Sequence, residues 1–157
     1  MSYTIGYKAY NTGLVNRYGQ VHEVKKIYTY EGELLWKKAG FHYCEHLEDT
    51  LRYYDAMNGS IDICQVIGFG QLEKFYDSYY DYEITVSDHL KIVKKLTREE
   101  IIAYANSLPA YRLCRFIQGF RLTQEEIDLI LSTHNELEVY QAIRYYQYGD
   151  KKVYERK

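Results

Sequence analysis

The sequence predicts an α+β fold, with an N-terminal mixed, mainly antiparallel sheet that contains one helix, followed by a C-terminal array of about four helices. Two observations carry this prediction. Short β-branched or alternating runs separated by glycine-containing turns fill residues 1–96, and the apolar spacing changes to a helical period at Thr97. Because no linker composition separates the parts, the 157 residues are interpreted as one domain with a β-rich part (1–96), a helical part (97–150) and a basic tail (151–157).

The first four strands are predicted from alternation and from turn residues. Tyr3–Tyr10 alternates regularly, and Val21–Tyr30 is rich in β-branched and aromatic residues before a turn at Gly32. Two shorter strands follow at Leu34–Trp36 and Phe41–Cys44. These segments predict the first half of the sheet.

One helix is predicted after the fourth strand because four residues recur with helical spacing. They are Leu47, Thr50, Leu51 and Tyr54. Glu48 and Asp49 lie in the first turn, where the partial positive charge of a helix N-terminus favours acids. Asn58 and the glycine after it are expected to end this helix.

The segment Ile61–Ile67 is apolar on both faces, which predicts the central strand of the sheet. Gly68-Phe69-Gly70 is expected to close that strand. The tyrosine-rich and acidic segment Glu73–Glu83 predicts either a hairpin or an ordered loop, and Leu90–Val93 is expected to return to the sheet.

Four helices are predicted from Thr97 onward. Thr97 and Thr123 each precede a glutamate by three residues and fit the capping box, and Asn135 is expected to cap the fourth helix. The first helix must end before Pro109. The apolar stripes are Ile101, Ile102, Ala105 and Leu108; Leu113, Phe116, Ile117 and Phe120; Ile127, Ile130 and Leu131; and Val139, Ile143 and Tyr146.

Composition disfavours several functional classes. Lys and Arg number 20 and Asp and Glu number 22, so no concentrated basic face is expected and direct nucleic-acid binding is disfavoured. No apolar run approaches the roughly 20 residues of a membrane-spanning helix, and no signal-peptide pattern is found. Three widely spaced cysteines favour reduced thiols. We therefore expect a cytoplasmic protein without a membrane partner.

The densest group of reactive side chains precedes the predicted helix. His42, Cys44 and His46 alternate and could ligate a metal from one face of a strand, but the remaining histidines lack complementary spacing, so no metal site is predicted. Cys44 also precedes a helix start, as nucleophilic cysteines often do. Because sequence neighbours are not positioned partners, no catalytic residue is assigned, and the sequence favours a binding protein over an enzyme. Gly68-Phe69-Gly70 lacks the third glycine of a dinucleotide-binding turn.

Tyrosine dominates the aromatic residues, with 20 Tyr against five Phe and one Trp. Tyrosine is enriched at recognition surfaces, where its ring supplies contact area and its hydroxyl stays in water. The partner-binding candidates are Tyr76, Asp77, Tyr79, Tyr80, Asp81, Tyr82 and Glu83. Their carboxylates could pair with a basic groove on a partner. The alternative interpretation is a solvated hairpin with ordinary surface tyrosines.

Four short stretches carry a resemblance to a known family. They are Gly6-Tyr7-Lys8-Ala9, the strand and turn over Tyr28–Gly32, Gly40-Phe41-His42-Tyr43-Cys44-Glu45 and Leu51-Arg52-Tyr53-Tyr54. This pattern resembles an uncharacterised domain of small phage and prophage proteins, marked by Gly-Phe-His-aromatic-Cys-Glu. The resemblance implies a mobile-element origin and no transferable activity. It favours a cofactor-free protein that binds and inhibits a host macromolecule, either a protein or a protein–nucleic-acid complex, including an anti-CRISPR-like defence target.

The order of elements over the first 96 residues also resembles the split sheet of ADP-ribosyltransferases. That resemblance implies NAD as cofactor, Tyr7 and Lys8 on the NAD-holding strand, His42 and Tyr43 around the nicotinamide, and Glu83 polarising the acceptor. Lys8 stands where the family has Arg or His, and its Ser-Thr-Ser strand is absent. The alternative function is therefore an NAD-dependent ADP-ribosyltransferase-like enzyme or a degenerate relative.

Overall fold

The computed structural model describes residues 2–154, which form two compact units. The first unit contains the described residues up to Tyr54 together with Ser60–Leu96, and the second contains Asp55–Gly59 and the described residues from Thr97 onward. The predicted α+β class is confirmed: an antiparallel sheet with one short helix precedes about four helices. No helix in this described part is long and apolar enough to span a bilayer.

The sheet of the first unit has the strand order β1-β4-β5-β2, and β3 also pairs with β5. The strands are β1 (Tyr3–Asn11), β2 (Ile27–Thr29), β3 (Phe41–Tyr43), β4 (Ile61–Asp77) and β5 (Tyr82–Lys95). Every pairing is antiparallel, and β2 and β3 share the outer edge of β5. The predicted central position of the Ile61–Ile67 segment is confirmed, because β4 lies between β1 and β5.

The end of β3 turns back to β1. The Tyr7 N–H donates to the Cys44 carbonyl over 2.7 Å, and the Cys44 N–H donates to the Tyr7 carbonyl over 2.9 Å. Tyr7 also pairs with Gln65 of β4 on its other side. The strands β1, β4, β5 and β3 therefore form a hydrogen-bonded cycle, which fixes β3 beside β1.

Two predicted strands are wrong in extent. Within Val21–Tyr30 only Ile27–Thr29 is a strand, because Lys25 adopts a φ of 70° that interrupts an extended chain. Within Leu34–Trp36 only Leu35 forms a bridge, to Ala39, around a turn. β-branched and aromatic residues form a strand only where a neighbouring strand can pair with them. Here β5 pairs with three residues, Ile27–Thr29.

The helix predicted after β3 is shorter than expected. It forms a single turn, α1 (Leu47–Thr50), and residues beyond it adopt turns and bends. Glu48 and Asp49 are buried rather than exposed in the first turn. Both acids do lie in the first turn as predicted, and the helix dipole alone does not distinguish a solvated helix end from one packed against a sheet.

Strand β4 continues through the predicted break at Gly68-Phe69-Gly70. A register shift lies between Phe69 and Leu72, and Gly70 has a φ of 81°. The glycine therefore forms a β-bulge, which bends the strand without ending it. Beyond the bulge, β4 and β5 form the hairpin that was one of the two alternatives for Glu73–Glu83.

Two apolar clusters form the core of the first unit. One comprises Tyr10, Leu14, Tyr43, Cys64, Val66, Leu90 and Ile92, and the other Leu34, Cys44, Tyr82, Ile84 and Val86. Gly68 makes room for the first cluster, because a Cβ there would lie 2.0 Å from the Tyr43 hydroxyl. Close packing in this region leaves little space for larger side chains.

The second unit is helical. Its helices are α2 (Arg98–Asn106), α3 (Ala110–Gly119), α4 (Gln124–Thr133) and α5 (Leu137–Ala142), which continues as a π-helical turn over Ile143–Gln147. Both predicted capping boxes are confirmed. The predicted Asn135 cap is wrong, because α5 begins after Glu136 and no side chain caps it. In the predicted tail Lys151–Tyr154 forms a 3-10 turn, and residues 155–157 lie outside the described residues.

Polar side chains join the turns of this second unit. The Gln147 amide donates to the carbonyls of Ile117 and Phe120 over 2.7 and 2.8 Å. Arg98 forms a two-pronged ion pair with Glu126, with distances of 2.7 and 2.8 Å. The Gln147 bonds satisfy carbonyls at the end of α3 that would otherwise depend on water.

Candidate functional site

A cavity of about 320 Å³ lies within the first unit. Its wall comprises β1 around Lys8, the loop over residues 16–22, the turn over residues 37–40, β3, and the segment that follows α1. This volume is at the lower end of the roughly 300–1,000 Å³ that is usual for small-molecule sites. Tyrosines form much of the wall: Tyr7, Tyr18, Tyr30, Tyr43, Tyr53 and Tyr54.

The cavity is cationic. Lys8, Arg17, Lys37 and Lys38 line it, and none of the described lining residues is Asp or Glu. The Arg17 guanidinium lies 5.5 Å from the Tyr53 ring centre, and the Lys37 amine lies 4.6 Å from that of Trp36. A cluster of like charges on the wall of one concave site favours anions.

Lys8 lies on β1 and is only partly exposed. Its amine donates to the His42 carbonyl over 2.7 Å, and no described carboxylate forms an ion pair with it. Burial lowers the pKa of Lys8 to about 8, and the nearby Arg17 charge acts in the same direction. The Lys8 ammonium therefore lacks the counter-charge that buried lysines usually have.

His42 holds the turn over residues 37–40. The Lys37 N–H donates to His42 Nε2 over 2.7 Å, so Nε2 is the unprotonated nitrogen and Nδ1 donates to the Gly40 carbonyl over 3.2 Å. Burial lowers the pKa of His42. Both nitrogens of a neutral ring are thus engaged by backbone, which makes His42 a structural clamp at the cavity wall and leaves no ring nitrogen to exchange protons with a ligand.

His22 contributes a different polar group to the cavity. The Tyr10 hydroxyl lies 2.9 Å from His22 Nδ1, and burial raises the pKa of Tyr10, so that hydroxyl stays protonated. The His22 ring stacks on Tyr28 with centroids 4.1 Å apart, and burial lowers the pKa of His22 to about 4. A neutral His22 ring, held by Tyr10 and stacked on Tyr28, therefore lines the cavity.

The cysteine and metal alternatives find little support. Cys44 is buried, and burial raises the pKa of its thiol, so the nucleophilic thiolate is disfavoured. The strand ends at Tyr43, and His46 stands at the N-cap of α1 rather than on the same strand face as His42. Across residues 2–154 no group of three or more His, Cys, Asp and Glu is placed to hold a metal.

The predicted partner-binding residues lie together at the tip of the β4–β5 hairpin, and three of their rings are exposed: Tyr76 (60%), Tyr79 (85%) and Tyr80 (43%). Two members are not surface residues. The Asp77 carboxylate is 5% exposed and accepts the N–H groups of Tyr79 and Tyr80, and Tyr82 is 3% exposed and donates its hydroxyl to Tyr53.

The acids at this tip are already engaged. Asp81 has a φ of 54° and accepts the Tyr76 hydroxyl, and the Glu83 carboxylate lies 3.5 Å from the Lys74 amine. The tip therefore presents more aromatic surface and less free negative charge than the sequence predicts.

The residues implied by the ADP-ribosyltransferase resemblance divide into two groups. Tyr7, Lys8, His42 and Tyr43 line the cavity, whereas Glu83 lies on the hairpin and is not among the lining residues. Sequence reasoning missed the loop residues that supply most of the charge and donors. They are Arg17, His22, Lys37 and Lys38. No spacing rule links them, because only the turns between strands bring them to one wall.

A family model for a domain of unknown function, DUF7666, matches residues 4–104. This span includes every residue that lines the cavity and reaches into α2. Searches of the curated proteins and of the solved structures found no match. The matched residues make up more than half of the 157 residues, and the chain therefore belongs to the DUF7666 family.

Proposed function

We propose that the first unit binds a small anionic ligand with a planar ring, of the nucleotide class, in the tyrosine-lined cavity. The observation that carries this proposal is the set of four cationic lining residues without a described acid among them. Phosphate oxygens form charge-assisted hydrogen bonds with such groups, and a guanidinium such as that of Arg17 can contact two oxygens at once. The tyrosine rings supply faces on which a base can stack.

The size of the cavity favours one nucleotide over two. At about 320 Å³ it suits a mononucleotide, and a dinucleotide would place only one of its halves inside. NAD is the candidate suggested by the ADP-ribosyltransferase resemblance, which is supported here by the positions of Tyr7, Lys8, His42 and Tyr43. A transfer reaction would also need an acid. Glu83, to which the resemblance assigns this role, does not line the cavity.

Isothermal titration calorimetry tests the binding proposal. We expect AMP, ADP-ribose and NAD to bind, and adenosine and nicotinamide, which lack phosphate, to bind at least about tenfold more weakly. Added salt should weaken only the phosphate-bearing ligands. Equal affinity for AMP and adenosine, or no binding of any phosphate-bearing ligand at millimolar concentration, would contradict the proposal.

Substitutions of the lining cations test whether AMP binds in the cavity. Arg17→Gln and Lys38→Gln remove cavity cations and should each weaken AMP binding by about tenfold. Lys91→Gln is the matched control, because Lys91 is an exposed lysine on β5 that does not line the cavity. A similar loss in Lys91→Gln would show that the effect arises from net charge rather than from the site.

We also propose a second function, carried by a separate observation: the hairpin tip is a recognition surface through which a phage-encoded inhibitor engages a host macromolecule. The tip is preorganised, because Asp77 holds its turn and the rings of Tyr79 and Tyr80 meet edge to face at 4.8 Å. Rigid tyrosines supply contact area with little loss of side-chain entropy. A defence complex of the anti-CRISPR-like class is the proposed target.

Affinity capture from a bacterial lysate tests this second function. We expect one stoichiometric partner that Tyr79→Ala combined with Tyr80→Ala abolishes. Tyr3→Ala is the control, since Tyr3 is 63% exposed on β1, away from the hairpin tip. Retention of the partner by the double variant would rule out the tip as the contact surface.

A further inference from the structure

The cavity contains a lysine whose surroundings resemble those of reactive lysines. We propose that Lys8 is a covalent site, at which its amine forms an imine with the carbonyl carbon of a phosphorylated aldehyde or ketone. The proposal rests on the proposed function only in assigning the ligand's phosphate to the cavity cations; the covalent step depends on Lys8 itself.

The position of Lys8 carries the proposal. Its side chain lines the cavity, its only described hydrogen bond is donated to the His42 carbonyl, and no described carboxylate pairs with it. A backbone carbonyl accepts a hydrogen bond from a neutral amine as well as from an ammonium, and the nitrogen lone pair then remains available. Lysines become nucleophilic when they are desolvated or lie near another cation, and both conditions hold here.

The protonation of Lys8 agrees with this geometry. Burial lowers the pKa of Lys8 to about 8. At pH 8 about half of such amines are neutral, whereas an ordinary lysine with a pKa of about 10.4 is neutral in roughly 0.4% of molecules. Lys8 should therefore react roughly a hundred times faster than a surface lysine with the same intrinsic nucleophilicity.

The covalent step conserves atoms and electrons. The Lys8 nitrogen lone pair adds to the carbonyl carbon, and one nitrogen proton passes to the carbonyl oxygen to give a carbinolamine. The second nitrogen proton then passes to the same oxygen, which leaves as water, and a carbon–nitrogen double bond replaces the carbon–oxygen double bond. No oxidant or reductant is needed, and hydrolysis reverses the reaction.

Other cavity groups define the class of carbonyl ligand. Arg17, Lys37 and Lys38 provide charge for a phosphate, and the tyrosine rings suit an aromatic or cyclic body. Pyridoxal 5'-phosphate combines an aldehyde, a phosphate and a ring, and it serves as the probe.

The test treats the full chain with a stoichiometric amount of pyridoxal 5'-phosphate at pH 8, reduces it with borohydride and maps the labelled lysines by mass spectrometry. We expect Lys8 to carry at least about ten times more label than any other lysine, and pyridoxal without phosphate to label it far less. Label distributed over the exposed lysines, with Lys8 unlabelled, would overturn the proposal. The wild-type map needs no variant and therefore does not depend on a variant's folding.

A variant and a competitor complete the test. Lys8→Arg keeps the charge and cannot form an imine, so its label should disappear, while Lys91→Arg should leave labelling of Lys8 unchanged. Prior addition of AMP should protect Lys8 if both ligands use the cavity. Labelled Lys8 in a protein that does not bind AMP would support this inference and contradict the proposed function, whereas AMP binding with unlabelled Lys8 would do the reverse.

Discussion

Lys8 is an unfavourable residue for folding, because its charge is buried without a carboxylate. Its folded pKa of about 8 is below the unfolded value of 10.5, so between those pH values the unfolded chain binds more protons and stability rises with pH. Below pH 8 both states are charged and the full penalty applies. A residue that weakens the fold and lines a cavity is a typical functional residue.

We therefore expect Lys8→Met to stabilise the protein at pH 7 by about 1 kcal/mol, after allowance for its partial exposure. The gain should shrink as the pH rises from 8 to 10.5. Urea unfolding at pH 7 and pH 10 measures both values, and Lys91→Met serves as the control. Destabilisation of the variant at pH 7 would show that the Lys8 hydrogen bond to His42 outweighs the buried charge.

His22 has an effect of the same sign as Lys8, at lower pH. Its pKa is lowered to about 4 by burial, below the ordinary value of 6.5, so the folded state favours the neutral ring. The contribution of His22 to the free energy of unfolding is fully present above pH 6.5 and is lost as the pH falls toward 4. We expect His22→Gln to lose less stability than wild type between pH 6.5 and pH 4.5, as measured by urea unfolding. Parallel pH profiles would contradict the buried, neutral assignment of His22.

Among the elements, β4 depends on one glycine for its contact with β3. A Cβ at Gly68 would lie 2.0 Å from the Tyr43 hydroxyl and 2.4 Å from its ring carbon Cζ, and Tyr43 is buried in the core. Gly68→Ala should therefore destabilise the protein by about 2 kcal/mol or more, because the ring must shift within a packed core.

Thermal or urea unfolding checks the Gly68→Ala prediction. Gly19→Ala is the matched control, because nothing lies within 4 Å of its added Cβ and only its φ of 82° opposes the change. We expect a loss near 1 kcal/mol there from backbone strain. A wild-type stability for Gly68→Ala would mean that Tyr43 can move aside.

Local sequence patterns predict an element correctly when the contacts that form it are also local. The capping boxes at Thr97 and Thr123 were predicted correctly because both partners of each bond lie within four residues. The Val21–Tyr30 strand failed because strand formation there depends on β5, which is more than sixty residues distant and accepts only Ile27–Thr29.

All residues that line the cavity belong to the first of the two compact units. A bound ligand should therefore protect backbone amides only in segments of that unit. Hydrogen–deuterium exchange with AMP should show protection in β1, in the 16–22 loop and in residues 37–44, and none in α3, α4 or α5. A hundredfold excess of ligand over its dissociation constant should add about 2.7 kcal/mol of stability. Protection confined to the helices would place the ligand elsewhere.

The sequence by itself determined the α+β class, the central strand and the capping boxes at Thr97 and Thr123, because each depends on periodicity or on short-range chemistry. Only the tertiary structure decided that Arg17, Lys37 and Lys38 face the same cavity, that Glu83 does not line it and that Asp77 and Tyr82 are buried. The physical reason is that the cavity is closed by the Tyr7–Cys44 bridge and by two turns with left-handed residues. Such long-range closure leaves no periodic trace in a sequence.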